Sequence, residues 1–144
     1  MPRHIVSTVA ALSPGSRKIV EIEGRSIGIF NLGGEFFALR NRCPHQGAAL
    51  CTGQLGSAVT STGPGHYEMD RSGEILRCPW HGWEFDVRTG QSWFDPAKVR
   101  VKAYETAVEA GSALRPPVAG FAPGPYVAET FPVSIEENYV LVEV

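Results

Sequence analysis

Two short stretches carry residue types that can do chemistry at a useful spacing. One is CPHQGAALC (43–51), with Cys43 and His45; the other is CPWHGWEFD (78–86), with Cys78 and His81. Each offers one thiolate and one imidazole. Four such ligands can hold one zinc ion tetrahedrally. They can also hold a two-iron, two-sulfide cluster in which a pair of histidines replaces a pair of cysteines on one iron. Familiar zinc sites set like ligands a few residues apart. Here each stretch mixes the two kinds, and Cys-x-His is tight for a single ion. A two-iron cluster accounts for the mixing directly, with cysteine on one iron and histidine on the other. A zinc-binding structural module stays open as the alternative. Pro44 and Pro79 follow the cysteines and fix φ there. Gly47 and Gly82 lie just past the histidines, where backbone must pass close to a cofactor. Cys51 makes the cysteine count three, which is odd and too few for a disulfide scaffold.

Strands surround both stretches. Short apolar runs and period-2 alternation dominate, punctuated by glycine turns. The pattern predicts strands over 3–9, 17–22, 26–31 and 35–40, with hairpin turns at Glu23-Gly24 and Gly33-Gly34. It predicts a second hairpin, 65–70 with 74–77, around Arg71-Ser72-Gly73. Strands over 83–87 and 98–104 follow, with a turn at Thr89-Gly90 between them. A terminal hairpin in TFPVSIEENYVLVEV should turn near Glu137-Asn138. No long amphipathic helix is predicted. Residues 52–64 and 111–125 lack periodicity. The second of these contains Arg115-Pro116-Pro117, which could suit a polyproline-binding partner but reads better as an irregular loop.

A length of 144 residues suits one domain with a real core. A formal net charge of −2 argues against a nucleic-acid binder. No apolar run approaches a membrane span, and MPRHIVSTVAAL makes a poor signal peptide. The expectation is a cytoplasmic protein with no membrane and no nucleic-acid partner.

CPHQGAAL and CPWHGWEFD closely resemble the two motifs of Rieske iron–sulfur proteins. The resemblance is strongest to Rieske ferredoxins and to the Rieske domains of ring-hydroxylating oxygenases. The flanks GEFFALRNRCPH and FDVRTGQSWFDPAKVRVKAY agree. The resemblance covers about two thirds of the chain. It implies an all-β fold: a Rieske-type antiparallel β-sandwich or barrel carrying a two-loop cluster-binding subdomain. It also implies one Rieske-type [2Fe–2S] cluster per chain, with Cys43 and Cys78 on the inner iron and His45 and His81 on the outer. Residues 1–144 would form a single Rieske domain, with the cluster-binding subdomain at about 41–95. Two segments, about 51–73 and 105–127, look like additions to the family pattern.

The implied function is one-electron transfer by a ferredoxin-like component. Its partners would be a flavin- or NAD(P)H-dependent reductase as donor and a terminal oxygenase, or another redox protein, as acceptor. A small Rieske-type subunit of a larger oxidoreductase and a Rieske redox sensor are the other readings. His4 and His66 remain as spare histidines, but no facial-triad spacing suggests a second iron. A single domain of this length is expected to leave no room for an oxygenase catalytic domain. Trp80, Trp83, Phe85 and Trp93 could shield the cluster or line an electron route; ordinary packing explains Trp80 as well and the other three better. Arg40, Arg42 and Arg77 could face an acidic partner, although solvated surface charge explains them better.

The potential can also be placed. With two ferric ions, two sulfides and two thiolates the cluster is neutral, whereas four thiolates would leave it a dianion; histidine ligation therefore raises the potential. High-potential relatives add a disulfide between the loops and Ser and Tyr hydroxyls directed at the cluster. The corresponding disulfide positions here are Ala48 and Trp80, and the hydroxyl positions are Trp83 and Phe85. The expectation is the low end of the Rieske range, roughly −150 mV. Cys51 lies past the disulfide position and is expected as a free, buried or half-buried thiol at the start of an inserted hairpin.

Overall fold

A computed structural model describes residues 3–80, 82–92, 99–114 and 136–144. Three antiparallel sheets organise them. The first orders β2 (Arg17–Ile22), β3 (Arg25–Leu32), β4 (Glu35–Arg40) and β8 (Ala103–Tyr104). The second orders β1 (Arg3–Thr8), β10 (Asn138–Glu143) and β9 (Thr106–Ala110). The third orders β5 (Gln54–Gly63), β6 (His66–Arg77) and β7 (Glu84–Asp86). Helix is confined to one turn, α1 (Gly111–Leu114), and a 3-10 turn at Leu50–Thr52. The all-β expectation is met.

The sheet holding β3 is covered on both faces, which explains its near-continuous apolar sequence. Ile27 and Ile29 of β3 join Phe36 and Ala38 of β4 against Val6, Val140 and Val142 of the terminal sheet. Phe30 and Leu32, from the other face of β3, pack with Leu39 against Cys43, Leu50, Cys51, Leu76, Cys78 and Phe85. The two motif cysteines thus belong to the core rather than to a detached loop. The hairpin turns at Glu23-Gly24 and Gly33-Gly34 form as expected, with positive φ at all four residues.

Three elements differ from the sequence reading. Arg71-Ser72-Gly73 is not a turn. Residues 66–77 form one strand whose hairpin with β5 turns at Pro64-Gly65. The turn chemistry goes instead into a bulge. Gly56 pairs with Ile75 and Ala58 with Asp70, so Ser57 stands opposite residues 71–74, and Gly73 adopts φ 77°. The aperiodic stretch 52–64 supplies β5. Its outer half, Ala58–Gly63, pairs with β6 alone among the described strands. The strand expected over 98–104 shrinks to Ala103–Tyr104, preceded by a bridge between Gln91 and Arg100.

Of the terminal hairpin expected in 130–144, the last strand is β10, which lies between β1 and β9. The hairpin's other arm, 130–135, lies outside the described residues, as do Arg115-Pro116-Pro117 and Trp93. β9 comes from the start of the segment expected as an addition at about 105–127. Among the described residues no helix is long and apolar enough to cross a membrane.

Candidate metal centre

Two loops carry the motif residues, and their backbones close in the same way. The first leaves β4 and enters the 3-10 turn; the second is the tip of the β6–β7 hairpin. In the first, the Cys43 N–H donates to the Ala48 carbonyl at 2.8 Å and the Gly47 N–H donates to the Cys43 carbonyl at 2.8 Å. In the second, the Cys78 N–H donates to the Trp83 carbonyl at 2.8 Å and the Gly82 N–H to the Cys78 carbonyl at 2.9 Å. The fifth residue of each loop must therefore turn back through the left-handed region. Gly47 (φ 80°) and Gly82 (φ 72°) do so without the strain a side chain would bring. Each proline follows its cysteine, at a position where its missing N–H breaks neither of these bonds.

This closure turns both sulfurs inward. Cys43 and Cys78 are 1% and 3% exposed. Burial pushes the Cys43 thiol above its ordinary range, backbone N–H groups of His45 and Gln46 pull it down, and the adjoining Cys78 thiol raises it. The two thiols are thus neighbours in an apolar pocket, with amide hydrogens aimed at one sulfur. A metal ion that displaced the protons would find two adjacent sulfurs, with backbone amides already directed at that of Cys43.

His45 lies on the exposed side of its loop, its ring stacked on the indole of Trp83 with centroids 4.1 Å apart and planes 10° apart. His81 lies outside the described residues. Among the described residues no three His, Cys, Asp or Glu side chains gather closely enough to hold a single metal ion. The structure therefore brings Cys43 and Cys78 together and keeps His45 apart from them on the outer side. Paired buried sulfurs with an imidazole outside could hold a cluster that divides its ligands between two irons.

Cys51 does not join the pair. It is a free thiol, wholly buried, with Sγ 3.7 Å from the Leu39 carbonyl. Burial pushes it up to about 12. It sits in the 3-10 turn just before β5, as expected for the start of that hairpin. Of the aromatic candidates, Phe85 is wholly buried and Trp80 is 61% exposed. Arg40 and Arg42 are exposed, and Arg77 pairs with Glu84 at 3.3 Å across the base of the second loop. His4 lies on β1 with Nε2 buried and without a hydrogen-bond partner among the described residues. His66 lies on β6.

Several residues that seat the loops carry no local signal. Arg17 of β2 donates from Nη1 to the Cys51 carbonyl at 2.9 Å and to the Gly53 carbonyl, and lies over the Phe30 ring. The Asn41 side chain accepts the Cys51 N–H at 2.7 Å. Gly53 lets the exit of the first loop run against the residue that precedes Cys78: a Cβ there would lie 1.7 Å from the Arg77 carbonyl oxygen. Arg88 donates to Glu35 at 2.5 Å and to Glu74 at 2.8 Å, tying the turn after β7 to the start of β4 and to β6. Only the pairing of distant strands creates these contacts.

Comparison with known proteins adds an independent observation. The family model described as the Rieske [2Fe-2S] domain matches residues 3–105. A 3-phenylpropionate/cinnamic acid dioxygenase ferredoxin subunit of Photorhabdus laumondii is 31% identical over 112 residues, covering 78% of this chain and 91% of the relative. The ferredoxin CarAc of Metapseudomonas resinovorans is 25% identical over 107 residues, covering 74% and 85%. The solved ferredoxin of carbazole 1,9a-dioxygenase from Nocardioides aromaticivorans superposes with a TM-score of 0.59 at 25% identity, covering 76% of this chain and 91% of that one.

Proposed function

The chain belongs to the Rieske [2Fe-2S] family, and we propose that it is the ferredoxin component of an oxygenase system. It would take single electrons from a flavin- or NAD(P)H-dependent reductase and pass them to a terminal oxygenase. In this reading Cys43 and Cys78 hold the inner iron, and His45 and His81 the outer. The observation that carries it is the pair of adjoining buried thiols on two identically closed loops. The relatives named as ferredoxins of dioxygenases support the choice of partners. The bound cluster supplies a one-electron carrier.

The protein's own residues do the rest. The apolar packing of Leu39, Leu50, Leu76 and Phe85 keeps water from the sulfurs. His45, at the surface, brings one ligand edge within reach of a docked partner. A low potential is part of the proposal. Trp83 and Phe85 offer no hydroxyl, and the three cysteines are free thiols, so no disulfide braces the loops. Fewer donors toward the sulfurs stabilise the reduced state less. A cytoplasmic setting belongs to the same reading, supported by those free thiols.

Replacing His45 or His81 by Ser tests the ligand set. Each variant should lose the rhombic electron paramagnetic resonance (EPR) signal of the reduced protein. A surviving signal would overturn the assignment. Delivery of electrons to a dioxygenase reconstituted with its reductase tests the role, and failure to support turnover with any such pair would remove it.

A further inference from the structure

Besides the adjoining thiols, the two ligand loops share a ring contact that nothing in the motif requires. Trp83 closes the second loop with its carbonyl, which accepts the Cys78 N–H. Its ring, half-buried against the apolar group that includes Cys43, Cys78 and Phe85, stacks on His45 of the first loop. Trp83 is thus anchored at its backbone by one loop and pressed by its indole onto the other. The stack is near parallel, at 10°, so rotating the imidazole would lift it off the indole face. No covalent bond joins the loops: all three cysteines are free, Ala48 is buried, and Trp80 stands 61% exposed.

We propose that the His45–Trp83 stack is a non-covalent tie between the ligand loops, and that Trp83 is a positioning residue that fixes the plane of the His45 imidazole. The proposal rests on reading His45 as a ligand. Its consequence is twofold. The stack should slow the separation of the loops that releases the cluster, and it should set the ring orientation that the outer iron experiences. An aromatic stack contributes about 0.5–1.5 kcal/mol beyond simple burial, which converts to a rate factor of about two- to twelvefold.

The test compares Trp83→Leu, Trp83→Phe and Trp80→Ala with the parent, all as cluster-loaded protein. Loss of visible absorption at fixed temperature with excess chelator gives the cluster lifetime. The g-values of the reduced protein report imidazole orientation. Trp83→Leu keeps apolar bulk but has no flat face, and should lose its cluster about two- to twelvefold faster with displaced g-values. Trp83→Phe keeps a stacking face and should stay close to the parent in both readouts. Trp80→Ala, outside the contact, should match the parent. Parental lifetime and g-values in Trp83→Leu overturn the proposal, and so does a Trp83→Phe variant as disturbed as Trp83→Leu. Should Trp83→Leu fail to load, Trp83→Met takes its place under the same criteria. The ligand reading is checked separately by His45→Ser: a retained Rieske spectrum there removes the ligand assignment, whatever the Trp83 variants do.

Discussion

Gly28 occupies the middle of β3, paired with Ile19 on one side and Leu39 on the other. The space above it is filled by Cys51. A Cβ built on Gly28 would lie 2.5 Å from both Cβ and Sγ of Cys51 and 3.3 Å from the Phe30 ring. Carbon atoms pack at about 3.5–4.0 Å, so Gly28→Ala must displace Cys51 by about 1 Å. Cys51 has little freedom to move: Asn41 holds its N–H, Arg17 holds its carbonyl, and it is wholly buried. Overpacking a rigid core costs about 1–3 kcal/mol. Alanine recovers about 0.4–1 kcal/mol by restricting the unfolded chain. At their central values, about 2 against about 0.7 kcal/mol, the clash wins, and the net loss is about 1 kcal/mol. For a domain of this size that lowers the melting temperature by roughly 2–8 °C. The assay is the far-ultraviolet circular dichroism melt of loaded protein at fixed scan rate. Cys51→Gly deletes both clashing atoms. The double variant should therefore be more stable than the sum of the single losses, by about 1 kcal/mol. A Gly28→Ala protein that melts with the parent, or a strictly additive double variant, would refute the reasoning.

The buried Cys51 thiol should resist iodoacetamide at pH 8 in the folded protein and react once the chain is unfolded, measured by mass of the modified peptide. With its pKa raised from 9.0 to about 12, the neutral thiol favours the folded state. That stability is complete below pH 9 and is lost as pH climbs from 9 through 12, by up to about 1.4 kcal/mol per unit. Urea midpoints of the parent should therefore fall more steeply over that range than those of Cys51→Ala, and parallel curves would contradict the assignment. Gly53→Ala places a Cβ 1.7 Å from the Arg77 carbonyl, beside Cys78, and should prevent cluster loading, seen as absent visible absorption in whatever protein is recovered. Phe85→Tyr adds a hydroxyl within the apolar group that holds both cysteines; one new hydrogen bond favouring the reduced state should raise the midpoint by roughly 20–65 mV. An unchanged midpoint in a loaded Phe85→Tyr protein would show that no donor reaches the sulfurs from there.

The ligand loops were legible in the sequence because their chemistry is local. Cysteine, proline and glycine recur at the same offsets, and the structure shows why: each loop closes on its own cysteine through two backbone hydrogen bonds. The sheet strands were legible through turn glycines and apolar runs. The pairing of β5 with β6 was not. Arg71-Ser72-Gly73 carries real turn chemistry, but pairing with β5 absorbs it as a bulge, and only the partner strand decides between the two. The strand β9 was missed, because half-buried TAVEA has too weak an apolar alternation to announce itself. The seating of the site was invisible for a different reason. Arg17 lies 34 residues from Cys51, and the chain gives no sign that Gly28 will receive it. The His45–Trp83 stack likewise joins two loops that come from different sheets, so neither motif alone announces it.

An EPR-monitored redox titration of the purified protein decides whether it carries a low-potential Rieske cluster. A rhombic signal should appear on reduction as a one-electron step, with a midpoint of roughly −150 mV. A protein that stays silent on reduction, or a midpoint well above zero, would contradict that reading.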